Sequence, residues 1–272
     1  MGGPGRPLGR LCSSIVRPRS PWLDQPGPLA FAHRGGGKEA PENSWAAFEN
    51  ARSLGYRHME TDVRCTADGV AIALHDPGLH RVAGRPVLLA QLSSTELGTC
   101  ALGDGRPPPR LEDLLAWAPE VTWNIDMKED GVVGPTVEAV RRAGARDRVV
   151  LTSFSGRRSA RAAAALGGAV AVGAGRVAVA SLWATAQLGG LPGWPGRAVA
   201  AQVPLKQGRL AVVTPRFVGA CHRAGLAVHV WTVDRADQMH GLLDMGVDGI
   251  MTDRPSVLRA VLSERGQWPA ER

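Results

Sequence analysis

The pair His33 and His75 and the pair Glu60 and Asp62 stand within one stretch of the chain, Ala32 to Asp76, which reads AHRGGGKEAPENSWAAFENARSLGYRHMETDVRCTADGVAIALHD. An imidazole titrates near neutrality, so a neutral one takes a proton from an attacking hydroxyl or water and a protonated one returns a proton to a departing alkoxide. Residues two apart in a strand point to the same face. Glu60 and Asp62 so placed are paired hard oxygen donors, the kind that Mg²⁺ or Ca²⁺ takes. One histidine at a strand end is often a satisfied core residue, but a pair flanking two same-facing carboxylates favours acid, base and metal chemistry.

The elements around these residues decide whether they meet. Leu29 to His33 is short and apolar, bounded by Pro28 and a glycine run, and reads as a buried strand that ends at His33. The glycines behind it allow backbone amides to approach a ligand closely. A helix follows, starting near Asn43 or Ser44, either of which can cap it, and stopping at Gly55. The second strand carries Glu60 and Asp62. Thr66-Ala67-Asp68-Gly69 then turns the chain, and Val70 to Leu74 runs back to deliver His75 beside the carboxylates.

Beyond Asp76 the alternation breaks until Arg110, with Gly103-Asp104-Gly105 and Pro107-Pro108-Pro109 marking a loop-rich excursion expected to lie over the site. Leu111 to Trp117 reads as a helix. Apolar runs follow at Val121 to Met127, Val149 to Thr152, Ala169 to Val172, Ala198 to Val203, Ala227 to Val233 and Asp248 to Met251. Helical patterns separate them: Pro135 to Ala143, Gly156 to Leu166, Val177 to Leu188, Pro215 to Ala224 and Ala236 to Met245, with Pro255 to Ser263 last. With the first two this makes eight strands, the count that closes a parallel (β/α)8 TIM barrel. An open doubly wound sheet suits the same alternation, but no G-x-G-x-x-G follows the first strand in the required form. In a barrel, chemistry sits at the C-terminal strand ends. His33, Glu60, Asp62, Asp126, Lys128, Phe154, Gln202, Trp231 and Asp253 all fall at or just past such ends.

Length and composition suit one such domain, because 272 residues at 44% hydrophobic can bury one large core and a barrel needs roughly 250 residues. Aromatics make up only 5%, so the core is built from Ala, Val and Leu. The reading is a leader over 1–28, a barrel over 29–264 and a tail over 265–272. Of the formal charge of +7, residues 1–20 hold Arg6, Arg10, Arg17 and Arg19 with no acid and account for four, leaving 7 − 4 = +3 for the rest. Lysines are confined to Lys38, Lys128 and Lys206 and the arginines are scattered, so no nucleic-acid stripe forms. An anionic substrate, or weak peripheral contact with an anionic membrane, is compatible with this balance. Cys12, Cys65, Cys100 and Cys221 are widely spaced and read as reduced thiols of a cytoplasmic protein. The leader lacks the apolar stretch of about 7 to 15 residues of a signal peptide, and nothing approaches the roughly 18 apolar residues of a membrane span.

The motifs resemble those of the glycerophosphodiester phosphodiesterase family, whose first block reads H-R-G, then P-E-N-[TS], then E-x-D, a turn and H-D. Here these are His33-Arg34-Gly35, Pro41-Glu42-Asn43-Ser44, Glu60-Thr61-Asp62 and His75-Asp76, in that order. The similarity runs on through Trp231-Thr232-Val233 and Gly249-Ile250-Met251-Thr252-Asp253-Arg254-Pro255. The resemblance implies a barrel of the phosphodiesterase type with an insertion after the second strand. It also implies metal-dependent hydrolysis of a small glycerophosphodiester to sn-glycerol 3-phosphate and an alcohol.

By that resemblance His33 and His75 are the catalytic pair, and one Mg²⁺ or Ca²⁺ is held by Glu60, Asp62 and a third ligand at Asp126. The family commonly has glutamate there, within N-I-E-x-K, so Asp126 is one methylene and about 1.5 Å shorter in reach. Arg34 and Lys128 are expected on the phosphate and Trp231 against the glycerol carbons. Glu42 is expected beside the metal or Arg34, or else at a helix start where its charge suits the dipole. Phe154 and Gln202 are expected to line the pocket. Asp68, His58, His80, His222, His229 and His240 are assigned to structure or surface. A phospholipase D-like enzyme acting on a lysophospholipid or sphingolipid is one rival, with Leu188 to Trp194 as its candidate apolar loop. A non-catalytic phosphodiester-binding barrel is the other, and Asp126 is its support.

Overall fold

A computed structural model describes residues 27–168, 170–188 and 196–269 of the chain. The first half runs β1 (Leu29–Ala32), α1 (Trp45–Ser53), β2 (His58–Cys65), β3 (Ala71–Ala73), the short helices α2 (His80–Ala83) and α3 (Ser94–Leu97), α4 (Leu111–Trp117), β4 (Thr122–Met127), α5 (Val133–Arg142) and β5 (Val149–Thr152). The second half runs α6 (Gly156–Ala165), β6 (Ala171–Val172), α7 (Arg176–Gln187), β7 (Ala200–Pro204), a hairpin of β8 (Lys206–Gln207) and β9 (Leu210–Ala211), α8 (Pro215–Ala224), β10 (Ala227–Trp231), α9 (Ala236–Asp244), β11 (Gly249–Thr252) and α10 (Pro255–Glu264).

Eight of these strands pair in parallel in the order β6-β5-β4-β2-β1-β11-β10-β7. The ends of that row meet where Gly173 bridges Ala200 and the Val199 N–H donates to the Val172 carbonyl at 2.9 Å. The sheet thus curls into the expected (β/α)8 barrel. The Asp68-Gly69 turn reverses the chain as expected, and β3 runs antiparallel to β2 with Val63 opposite Ala73. Several strands are trimmed relative to their apolar runs. β7 begins at Ala200 and not at Ala198, and β10 ends at Trp231, two residues before the apolar run does. Of the run at 169–172, β6 takes Ala171–Val172, and Ala169 lies outside the described residues, as does most of the leader and of the apolar loop at 188–194.

Alternation along the strands divides the inside of the barrel into two zones. At the N-terminal end Leu29, Phe31, Val150, Ala171, Ala200 and Met251 form an apolar plug. Toward the C-terminal end the same faces carry Glu60, Asp62, Asn124, Asp126 and Gln202, which the pairing sets in rows: Glu60 opposite Asn124, and Asp62 opposite Asp126 opposite Thr152. The plug closes one end, and the polar rows are left facing a cavity at the other. Between strands and helices lies the main core, with Trp123, Phe48 and Phe217 fully buried among Ala, Val and Leu. The segment from Asp76 to Arg110 holds α2 and α3, and contributes Leu79, Leu89, Leu97 and Cys100 to a separate apolar cluster with Ile72 and Leu74.

Candidate active site

The turn after β1 is built from close approach. His33, Arg34 and Gly35 make a 3₁₀ turn in which Arg34 takes φ 53°, in the left-handed region. That conformation aims the Arg34 backbone N–H at Glu60 Oε2, 3.1 Å away. Gly35 at φ 80° lies against α1 so closely that a Cβ there would be 2.7 Å from Ala47 Cβ and 2.8 Å from its backbone carbon. Only glycine satisfies both demands. Asn43 is the second non-glycine residue at positive φ, and its N–H donates to the Arg34 carbonyl at 2.9 Å. Of the two candidate caps, Ser44 caps α1 by accepting from the Ala47 N–H at 3.2 Å. Asn43 instead turns inward: its Nδ2 donates to Asp62 Oδ2 at 3.2 Å and its Oδ1 accepts from Thr61 Oγ1 at 2.8 Å.

Each histidine has its Nδ1 held by a carboxylate. His33 Nδ1 is 2.7 Å from Asp253 Oδ1 just past β11, and its Nε2 lies 3.8 Å from Glu60 Oε2. Burial opposes the imidazolium, but Glu60 and then Asp253 outweigh it and hold the His33 pKa above its ordinary value. His75 Nδ1 is 2.7 Å from Asp76 Oδ1. Asp76 in turn takes Arg81 Nε at 2.6 Å, and that hydrogen bond is the main cause that draws its carboxyl down to about 2. Arg81 also grips both oxygens of Glu42, at 2.9 and 2.6 Å, and Glu42 accepts from Arg34 Nη1 at 3.1 Å. Arg34 Nε lies 2.9 Å from Asp62 Oδ2. A continuous chain of alternating charge therefore runs from Asp76, which holds His75, through Arg81, Glu42 and Arg34 to Asp62.

Glu60 and Asp62 are 4% and 1% exposed, yet they titrate in opposite directions. Burial raises the Glu60 carboxyl and repulsion from Asp62 adds to the rise. Burial also acts on Asp62, but Lys128 and then Arg34 outweigh it and hold its carboxyl low. Lys128 Nζ lies 2.6 Å from both Asp62 Oδ1 and Asp126 Oδ2, so the aspartate at 126, although short, faces the same point as Asp62. Among the described residues no three acidic, histidine or cysteine groups are gathered as a ready metal site. Glu60, Asp62 and Asp126 nonetheless fit a hard divalent cation in donor type. Two of them already converge on one cationic point, and the third is a buried carboxylate with no ammonium or guanidinium in hydrogen-bond contact among the described residues.

These groups surround one cavity of about 130 Å³. His33, Arg34, Glu60, Asp62, His75, Asp126, Lys128, Phe154, Gln202 and Trp231 all line it, so ten of the eleven site residues expected from sequence meet there. Glu42 stands behind, bonded to Arg34, which is one of the places expected for it. Gln202 and Asn124 pair amide to amide across the barrel at 3.2 and 3.1 Å. Phe154 and Trp231 form an aromatic side, with ring centroids 6.3 Å apart and Lys128 Nζ 5.9 Å from the Phe154 ring. His58 and His229 lie away from the cavity on either side of Phe31, consistent with a structural role. Sequence reading gave no site role to Asn43, Asp76, Arg81 or Asn124, and did not pair Asp253 with His33. Asn43, Asp76 and Asp253 sit inside the quoted motifs, which was the available signal. Arg81 had none, because its partners come from two other segments.

The sequence model of the glycerophosphoryl diester phosphodiesterase family matches residues 33–257, most of the barrel. The chain is 43% identical over 256 residues to a Mycobacterium tuberculosis protein named "Probable glycerophosphodiester phosphodiesterase 2", covering 92% of this chain and 97% of that one. A solved glycerophosphodiester phosphodiesterase from Agrobacterium tumefaciens superposes with a TM-score of 0.71 at 24% identity, over 85% of this chain and 99% of that one. An Oleispira antarctica phosphodiesterase, solved in complex with the product sn-glycerol-3-phosphate, has a TM-score of 0.72 at 20% identity, over 87% and 97%. At these identities the two structures speak for the shared barrel alone. The family match over 33–257 and the 43% identical relative carry the assignment: this chain belongs to the glycerophosphoryl diester phosphodiesterase family.

Proposed function

We propose that the chain hydrolyses glycerophosphodiesters to sn-glycerol 3-phosphate and an alcohol, with divalent-metal support. The observation that carries the reading is the pair of carboxylate-held imidazoles facing one cavity that also presents two cations and three acidic side chains. Nδ1 of each ring is engaged, so Nε2 is the nitrogen available to exchange a proton at the reacting atoms. Glu60 and Asp253 favour the imidazolium of His33, which suits it to protonate the departing alkoxide. His75 then accepts the proton of the attacking oxygen. Arg34 and Lys128 donate to the non-bridging phosphoryl oxygens, where negative charge grows in the transition state. Trp231 offers a flat face to the glycerol carbons. Glu60, Asp62 and Asp126 would hold the Mg²⁺ or Ca²⁺, which when bound supplies Lewis-acid stabilisation of the phosphoryl group. The product named for the Oleispira antarctica protein agrees with this choice of bond.

Release of glycerol 3-phosphate from glycerophosphocholine, measured with Mg²⁺, Ca²⁺ or a chelator, tests the reading. Turnover should need the added cation. His33→Gln and His75→Gln should each lower kcat on the order of 10²- to 10⁴-fold at an unchanged melting temperature. Either variant turning over within a few-fold of the wild type would remove that histidine from the chemistry, and full activity in chelator would reject the metal.

A further inference from the structure

Arg81 makes three hydrogen bonds to two carboxylates, and each carboxylate holds a different part of the site. Its Nε donates to Asp76 Oδ2 at 2.6 Å, and its Nη1 and Nη2 donate to Glu42 Oε2 and Oε1 at 2.9 and 2.6 Å. On their other sides Asp76 engages His75 Nδ1 and Glu42 engages Arg34 Nη1. Among the described residues Arg81 is the one side chain bonded to both acids. Its place is set locally. The single turn of α2 is anchored by Leu79, which is fully buried with Ile72, Leu74 and Leu89 and whose N–H donates to the Val87 carbonyl at 3.0 Å. Gly84 at φ 66° closes the turn, its N–H donating to the His80 carbonyl at 2.9 Å. The excursion after β3 thus delivers one guanidinium to a fixed point between two acids from separate segments.

Stability alone is a poor account of this arrangement. The Arg81 side chain is 49% exposed, and ion pairs so open to water add little to folding. What the planar fork of a guanidinium does well is hold carboxylates in fixed directions. Burial opposes the charge on Glu42, and the hydrogen bond from Arg81 is the largest influence offsetting it. The same side chain does most to keep Asp76 ionised. We propose that Arg81 is a positioning residue for both halves of the hydrolytic site: through Asp76 it fixes the His75 ring, and through Glu42 it fixes the Arg34 guanidinium. The proposal rests on the hydrolase reading above. Arg34 uses Nε on Asp62 and Nη1 on Glu42, which leaves Nη2 for a phosphoryl oxygen. Asp76 at Nδ1 sets the tautomer in which His75 Nε2 takes a proton. Without Arg81 each carboxylate can turn to water, and the ring and the guanidinium both lose the support behind them. A shift of about 1 Å at a reacting group is enough to cost on the order of a hundredfold in rate. The excursion between β3 and α4 is then a working part of the site and not only its cover.

Steady-state kinetics on glycerophosphocholine with Arg81→Ala and Arg81→Lys, alongside their melting temperatures, test the assignment. In the alanine variant kcat should fall on the order of 10- to 100-fold, as for other residues that orient a catalytic group from behind. Its KM should rise several-fold as Arg34 loosens from the phosphate. Its melting temperature should stay within about 4 °C of the wild type's, because the lost ion pairs are exposed. Lysine keeps the charge and most of the bulk, but one ammonium cannot span both carboxylates. Arg81→Lys should therefore melt with the wild type and still be impaired by about threefold or more in kcat/KM. Guanidinium chloride, too dilute to unfold the protein, should restore part of the alanine variant's kcat, and sodium chloride at the same ionic strength should not. A lysine variant as active as the wild type would overturn the assignment, and so would an alanine variant whose lost kcat guanidinium leaves unchanged. In either case the wild type still turns over and the hydrolase reading stands. No turnover by the wild type would reject that reading and this one with it.

Discussion

Asp253 shows how much of a histidine's behaviour is set by a residue distant in sequence. It reaches His33 Nδ1 at 2.7 Å across a separation of 220 residues, and its own backbone N–H is held by Asp234 Oδ1 at 2.8 Å. The carboxylate fixes the tautomer and orientation of the ring, the service that a buried aspartate gives the histidine of a serine-protease triad. Asp253→Asn keeps the shape but removes the charge and can present an N–H to Nδ1. We therefore expect kcat for glycerophosphocholine to fall on the order of a hundredfold or more while KM changes by less than about threefold. Asp253→Glu should recover part of the loss. Steady-state kinetics on the two variants decide it: a rise in KM at constant kcat would mean that Asp253 serves binding, not proton transfer. Asp126 sets a second residue-scale expectation, because its Oδ2 and Asp62 Oδ1 share Lys128 at 2.6 Å each. Asp126→Ala should raise the Mg²⁺ or Ca²⁺ concentration for half-maximal activity by at least tenfold, whereas Asp126→Glu should stay within a few-fold of the wild type. Activity titrated with the cation separates these outcomes.

At the scale of elements, the joint between β1 and α1 carries the first histidine and the first arginine. Gly35→Ala would force a Cβ to 2.7 Å from Ala47 Cβ at a φ of 80°. The left-handed backbone and the overpacking together should destabilise the protein by about 2–5 kcal/mol, seen as a lower urea midpoint at an unchanged slope. A midpoint equal to the wild type's would show that α1 moves aside freely. The glycine run after the first strand was read as room for a ligand, whereas the close approach at Gly35 is to α1; the Asp-Gly turn brings β3 back along β2 as read. Barrel strands were legible because their faces are apolar toward the helices whatever the chemistry inside, and helix starts because Ser44, Pro215 and Pro255 obey local rules. What sequence left hidden depends on pairing between segments. Asn43 looks like a cap and is a ligand of the Asp62 carboxylate. Arg81 sits in a segment that read as irregular loop, yet its place on α2 lets one guanidinium join Asp76 to Glu42. A groove beside the cavity was equally invisible, since α7, β7 and the β8–β9 hairpin contribute its walls from three separate stretches.

For the whole molecule, the two ends of the barrel respond to acid in opposite ways. At the C-terminal end, Glu60 has its carboxyl raised by burial and by Asp62, so the folded protein binds this proton more readily than the unfolded chain and gains relative stability as pH falls toward about 4.5. At the plug end, burial drives His229 down to about 4. An unfolded histidine titrates near 6.5, so between about pH 6.5 and pH 4 the unfolded chain holds the extra proton, and the fold loses stability as pH falls through that window. The two slopes partly cancel in the wild type, and its stability curve alone would mislead. A difference between variants isolates the plug. His229→Gln removes the titration while leaving a polar group beside Gln202, whose Nε2 lies 3.5 Å from His229 Nδ1. Above pH 7 the variant should be the less stable protein, through lost packing on Phe31, whose ring centroid is 5.0 Å away. On acidification its deficit should shrink by about 1.4 kcal/mol per pH unit below pH 6.5 and level off near pH 4. Urea unfolding of both proteins at half-unit pH intervals measures that difference directly. A deficit constant across the window would mean that His229 takes up its proton as easily in the fold as out of it, and that water reaches the plug.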